Sequence, residues 1–527
     1  MPVSFGRPLA VLATVATLAA ACATSGPRPP SPAVRDTGLG ERVARHVLHR
    51  LTFGPRPGDI ESVRAMGLEA FLERQLHPER LDDGAVEAAL ADLATLSLPV
   101  ATLLRDYPRR APDAGGQPPP APPARRPQLL LIELQAARMM RATMSERQLQ
   151  EVMVDFWLNH FNVFAYKGEV QWYLTSYERD AIRPHALGRF RDLLGAVARH
   201  PAMLYYLDNW LSRRDATGRP GLNENYGREL LELHTLGVDG GYTQHDVREV
   251  ARAFTGWTIE RPREVGAFVF RPGMHDPGEK IVLGQRIQTR SGIGDGESVL
   301  DLVSRHPATA RFIASKLARR FVADDPPAAL VERAAAAFAH GDGDIAATVR
   351  AIVTAPEFLE GAARSKIKKP SEFVVSAVRA LGGRIDTRGG LELARAAARM
   401  GEPLYQAQAP TGHPDRAEAW VSGTGLLARL NFAQALAHRQ VLGVSVDIGA
   451  AIGGADRRRP DVILQRLFAM ILDDDVGDTT RLVLTARLDD PQITRTTPDD
   501  RRDLRWADTD VETLAALVLG SPEFQRR

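Results

Sequence analysis

The sequence predicts a mainly α-helical protein, with helical hairpins around one core and a single small β-hairpin. Three observations predict it. The stretch Asn223–Trp257, NENYGRELLELHTLGVDGGYTQHDVREVARAFTGW, reads as two short helices joined by a glycine turn. A second helix-forming stretch opens at Ser145–Gln148, in capping-box form, and runs through Phe164 with Leu149, Val152, Met153, Phe156 and Trp157 on one face. The period changes once, where Val265–Phe270 alternates weakly and Lys280–Leu283 forms a second short strand. Asp276-Pro277-Gly278 between them suits a tight turn.

At the N-terminus, Arg7 precedes an unbroken apolar or small run from Leu9 to Ala21, which ends at Cys22. This is signal-peptide form (residues 1–22), too short for a permanent span. Cys22 is the only cysteine and stands where bacterial lipoproteins are cleaved and acylated, although Ala19 occupies the position that a lipobox gives to leucine. The expectation is an exported protein lipid-anchored through Cys22 to the cell envelope, at the outer membrane or in the periplasm. Plain secretion is the other reading. With no second cysteine the chain has no intramolecular disulfide and no thiolate metal site. Residues 23–37 form a Pro/Ser-rich tether.

The folded domain spans 38–527. Val43, Val47, Leu48 and Leu51 mark its first helix, Asp59 caps the next, and Gly67 stops that one before LEAFLERQL resumes. The text of 107–127, YPRRAPDAGGQPPPAPPARRP, is a Pro-rich insertion that neither a helix nor a central strand accommodates. In the glycine-turn hairpin, Asn223 or Asn225 caps the first helix, and Tyr226, Leu230, Leu233 and Leu236 share a side. Gly237 and Gly240-Gly241 reverse the chain, and the Thr243–Asp246 capping box starts the second helix. Helical text resumes at Glu297. Pro370 starts another helix, Gly401–Gly423 is polar and irregular, and helices close the chain.

Lys plus Arg (67) nearly equals Asp plus Glu (65), so no nucleic-acid footprint is expected. The short basic runs Lys366–Lys369 and Arg457–Arg459 read as solvated faces.

The NENYG…FTGW stretch resembles the signature of a large bacterial family catalogued as domain of unknown function 1800. FWLNHFNVF (Phe156–Phe164), HDPGEKIVLG (His275–Gly284) and KIKKPSEFVVSAVRALG (Lys366–Gly382) match further blocks in the same order. The resemblance runs from about Ala44 to near the C-terminus. It implies a mostly helical, exported protein, often encoded beside a second secreted protein that is then the expected partner. It implies no reaction.

Three groups of residues could carry chemistry. Glu229 and Glu232 share a helix edge and, with His234, form a candidate site for a divalent metal. Alternatively the two glutamates join Arg228, Arg248 and Arg252 in a salt-bridge network. His275 and Asp276 lie on a turn, where the carboxylate could orient the imidazole and Lys280 could hold an anion; the other reading is an aspartate that caps its own backbone. His160 projects onto the centre of an apolar helix face, either as a core histidine or with its ring turned into a cavity shared with the hairpin. The catalytic candidates are therefore His275, Asp276, Lys280 and His160.

Two functions fit these residues: a metal-assisted hydrolase of envelope or extracellular polymer, and a non-catalytic scaffold or partner of another secreted protein. On the address, Cys22→Ala is expected to abolish acylation and move the protein from the membrane to the soluble fraction. Unchanged fractionation would leave simple secretion.

Overall fold

Helices form wherever apolar residues recur three and four apart, and their apolar faces merge into one contiguous core. The computed structural model describes residues 39–109, 125–214, 221–287, 292–361, 363–488, 490, 493 and 509–527. The stretch expected to be a signal peptide, with Cys22, the expected tether and residues 110–124 of the Pro-rich insertion lie outside them.

Helix α1 (Leu39–Leu51) buries Ala44, Val47, Leu48 and Leu51. Four short helices, Asp59–Met66, Leu68–Leu76, Gly84–Leu90 and Val100–Asp106, lead from it to α2 (Gln128–Met144) and α3 (Gln148–His160). Helix α3 is central to the fold. Its apolar face is buried as expected, but so are Gln148, Glu151 and Asp155. The side of Asp155, Asn159 and Asn162 faces other protein segments rather than water. Its start is no capping box: Arg147 N donates to the Ser145 hydroxyl, which donates to Asp83, and the Gln148 amide folds back onto the carbonyls of Ala142 and Ser145.

Helix α4 (Val170–Ser176) continues into a π-helical turn at Tyr177–Ile182, and then come α5 (Phe190–Arg199) and α6 (Pro201–Tyr206). The hairpin forms as its sequence predicts, from α7 (Glu224–Glu229) and α8 (Gln244–Ala253). Asn223 caps α7, and Thr243 with Asp246 makes the full capping box on α8. The two helices approach closely at Gly227, where a Cβ would meet Val247 O at 2.8 Å.

The mainly α class and the small β element are both present, but the strands pair differently. Strand β1 (Trp257–Glu260) pairs antiparallel with β2 (Ala267–Phe270), and β3 (Lys280–Val282) pairs with β4 (Gln285–Ile287). The second hairpin closes through Leu283 and Gly284, both at positive φ, as a two-residue turn matching strand twist requires. Asp276-Pro277-Gly278 therefore does not join β2 to β3. Instead β3 docks on α8, whose Asp246 and Glu249 carboxylates accept from Leu283 N and Ile281 N.

The remainder is helical apart from one short antiparallel pair, Arg384–Ile385 with Val444–Ser445. Its main helices begin with α9 (Ile293–Ser304), α10 (Pro307–Phe321), α11 (Ala328–His340), α12 (Ile345–Val353) and α13 (Pro370–Ala380). Then come α14 (Thr387–Arg399), α15 (Gly423–Ala437), α16 (Pro460–Leu472) and α17 (Val511–Leu519).

The Lys366–Lys369 run is no solvated face, since Lys366, Lys368 and Lys369 are all buried. Lys366 binds Asp324 and Asp415 (2.6 and 3.2 Å), and Lys369 binds Asp155 (2.8 Å). Lys368 lies 3.6 Å from the centre of the Phe524 ring. The backbone of this run pairs with residues 525–527. Burial is tolerable because remote carboxylates neutralise two of the three charges. Asp155→Asn, which leaves Arg138 and Lys369 without their shared carboxylate, is expected to cost about 3–5 kcal/mol in urea unfolding. A loss under about 1 kcal/mol, typical of a surface pair, would contradict this picture.

Candidate functional site

The hairpin departs from its apolar pattern at a π-helical turn, Leu230–Thr235, where Leu236 N reaches back five residues to Leu231 O (2.9 Å). One extra residue in the turn rotates the side chains after it, so Leu231 and His234 are buried while Leu233 is only partly so. His234 thus sits inside the protein, away from the helix edge expected for a metal ligand. Its carbonyl accepts from His160 Nε2 (3.1 Å), and the two rings are 6.3 Å apart. Since Nε2 faces a carbonyl it carries the proton, which leaves His160 Nδ1 as an acceptor. Lys316 Nζ of α10 donates to it at 2.8 Å. Burial, then the Lys316 charge, holds His160 well below the usual histidine range. The same causes hold His234 at about 3.

The sequence does not single out Lys316, because SKLARRF reads as an ordinary helix segment. Burial and the neighbouring Arg319 lower its ammonium to about 8, against an opposing pull from Asp415. Lys316 and His160 line a cavity of about 200 Å³ with Arg319, Arg320, Arg416 and His413. Asp155 and Asp415 also line it, but each is already bound to lysine. Arg320 is paired with Glu372, and Arg416 with Asp325 (2.6 Å). Arg319 Nε donates to the Asp324 carbonyl (3.0 Å). Among the described contacts, Lys316 and Arg319 are the two lining cations with no carboxylate partner.

The cavity wall opposite α10 is the segment expected to be polar and irregular. Asn159 fixes it through two hydrogen bonds, Nδ2 to His413 O (2.8 Å) and Oδ1 from His413 N (2.7 Å). Asn162 Nδ2 donates to Ala407 O and Ala409 O. Gly412 has φ +71°, and a Cβ there would meet Asn159 O at 2.5 Å, so glycine is needed for this approach. The two asparagines of FWLNHFNVF thus explain why the segment is ordered without regular structure.

The other candidates lie elsewhere. Asp276 does not orient His275; it pairs with Arg252 (2.8 Å) and accepts from Gly278 N. The carboxylate facing His275 Nε2 is Asp295, at 3.1 Å, which also binds buried Lys280 at 2.6 Å. His275 Nδ1 faces Thr255 O at 2.8 Å. Lys280 further donates to the carbonyls of Asp276 and Gly278, so its ammonium is spent on closing the turn.

Glu229 and Glu232 are partly exposed on the hairpin edge, where Tyr242 OH reaches Glu232 (3.4 Å). Arg228 binds Gln244 (2.8 Å) and lies 3.9 Å from Glu224 rather than pairing with Glu232. Among the described residues no three His, Cys, Asp or Glu side chains gather to hold a metal. Ser176 Oγ and His200 Nε2 lie 3.2 Å apart, but His200 Nδ1 accepts from Ala202 N. Nε2 therefore carries the proton and cannot take one from the serine.

Fold and cavity together define a class: a mainly helical protein with ion pairs in its core and a cation-lined cavity against its central helix. The chain belongs to the family described as "Protein of unknown function (DUF1800)", whose model matches residues 46–526. Comparison with curated proteins and with solved structures finds no match. Among the described residues, no helix is long and apolar enough to cross a membrane.

Burial holds His46, His200 and His234 near 3 and also lowers His49 and His160. These rings are neutral in the folded protein, while the unfolded chain takes up protons below about 6.5. Their contribution to stability is complete above that pH and is lost as pH falls from 6.5 toward 3, at up to about 1.4 kcal/mol per unit for each histidine. Urea unfolding between pH 7 and 5 is expected to show a steep decline, before most carboxylates titrate. A flat profile would contradict neutral burial.

Proposed function

We propose that this protein is exported, is lipid-anchored to the cell envelope through Cys22, and captures an anionic group of an envelope or extracellular polymer in the His160–Lys316 cavity. The observation that carries the reading is the pair Lys316 and Arg319, which line a cavity of about 200 Å³ with no carboxylate partner in their described contacts. Partly buried cations of this kind gain most from a ligand that brings its own negative charge. Capture of this sort suits a partner of a second secreted protein, the role that the family resemblance suggests.

A metal-assisted hydrolase is the second reading, and one observation favours it. Burial and the adjacent Glu232 charge raise the Glu229 carboxyl above its usual range, and a divalent cation would relieve that strain.

Thermal unfolding separates the two. Inorganic phosphate is expected to stabilise the wild type more than Arg319→Met, with a loss of affinity of ~10-fold, about 1.4 kcal/mol. Equal shifts in both proteins would remove the anion reading. Stabilisation by Mg²⁺ or Zn²⁺ that disappears in Glu229→Gln would support the second reading. Without metal, Glu229→Gln is expected to unfold at a slightly higher temperature at neutral pH. A raised carboxyl favours the fold while protonated and loses that contribution as pH rises through its folded value.

A further inference from the structure

Lysine is scarce in this chain: six of its 67 Lys and Arg residues. Each of the six is engaged in the structure. Lys167 binds Asp208 (2.7 Å), Lys280 binds Asp295, Lys366 binds Asp324 and Asp415, and Lys369 binds Asp155. Lys368 is packed on the Phe524 ring, away from the cavity. Lys316 alone among them has a neutral imidazole nitrogen as its described hydrogen-bond partner, and it faces a cavity. Arginine supplies cations almost everywhere else, so a lysine at a cavity wall with no direct carboxylate partner in its described contacts offers what guanidinium cannot: an amine able to lose its proton.

We propose that Lys316 is a nucleophile that forms an imine with the carbonyl carbon of an anionic aldehyde or ketone held in the cavity. The proposal rests on the anion-binding reading above and adds the reaction. The neutral amine lone pair forms the C–N bond, and the carbonyl π pair moves to oxygen. Two protons pass from nitrogen to that oxygen, and water leaves. The products are one C=N bond to the chain and one water, with no oxidant or reductant.

His160 is a positioning residue. It keeps one Lys316 N–H on Nδ1, so the lone pair of the neutral amine must point away from the ring. His160 is itself held by the His234 carbonyl in the π-helical turn. Arg319 and Arg416 line the same cavity and are placed to take the substrate's anionic group. An ammonium lowered to about 8 leaves a large neutral fraction under mildly alkaline conditions.

The test is reductive alkylation of the full purified chain with glyoxylate and sodium cyanoborohydride, mapped by peptide mass spectrometry over the six lysines. Lys316 is expected to label at least ~10-fold faster at pH 8 than Lys167, whose ammonium is paired with Asp208. The ratio should fall at higher pH as ordinary lysines deprotonate. Lys316→Arg should remove the fast site, and His160→Gln, whose amide can still meet the amine, should retain part of it.

Labelling of Lys316 no faster than Lys167 at any pH would overturn the proposal, and the wild-type profile decides this even if a variant fails to fold. Phosphate-dependent stabilisation without fast Lys316 labelling would leave anion capture standing and remove the imine. Fast labelling by glycolaldehyde as well as glyoxylate, unprotected by phosphate, would instead remove the anionic substrate class and the cavity reading on which it rests.

Discussion

The Asp155 carboxylate accepts from Arg138 on one side and Lys369 on the other, in a region where all three side chains are largely removed from water. An isolated charge there would cost several kcal/mol, so the three segments carrying them must stay together. The constraint spreads outward. Lys369 also lies 3.5 Å from Glu402, whose carboxylate accepts from Ser371 N at the start of α13. Glu372, in the first turn of α13, pairs with Arg320 of α10 and with Arg527. Helices α2, α3, α10 and α13 are thereby tied by charge as well as by apolar contact.

The cavity results from this arrangement. With Asp155 and Glu372 committed to Lys369, Arg138, Arg320 and Arg527, and Asp415 to Lys366, the neighbouring cations on α10 have no carboxylate partner in their described contacts. Arg319 turns to a backbone carbonyl and Lys316 to an imidazole nitrogen. The charge balance of the interior is thus complete at Asp155 and incomplete one turn away, and that difference gives the site its electrostatic character.

Local features are legible in the sequence. The Thr243–Asp246 capping box, the Asn223 cap and Gly237 at positive φ are decided within a few residues, and all three form as expected. The π-helical turn is not legible, because one inserted residue leaves the composition unchanged yet moves His234 from an edge to the interior. The Lys366–Lys369 run misleads because Asp155 is 214 residues from Lys369, and local text cannot show that distance being closed. The strand pairing misleads because Leu283-Gly284 lacks the usual Asn-Gly signal, while Asp276-Pro277-Gly278 has a strong turn signal that the fold uses elsewhere. His160 falls on the buried face of its helix, as its spacing predicts, but its partner Lys316 lies 156 residues on and has no local mark.

The lysines thus divide into charge-locked members, Lys280, Lys366 and Lys369 among them, and two with no carboxylate partner in their described contacts, Lys368 packed on the Phe524 ring and Lys316 at the cavity wall; the function proposed for the cavity depends on the last. With six lysines, the direct measurement is an NMR titration of ¹³C-lysine-labelled protein, with Lys316 assigned from Lys316→Arg. Lys316 is expected to lose its proton near 8 and Lys368 near 7, while Lys369, held by Asp155, keeps its proton beyond the ordinary lysine range. A Lys316 that titrates with or above ordinary lysines would contradict this division, because its ammonium would then be held by a direct carboxylate partner, which its described contacts lack.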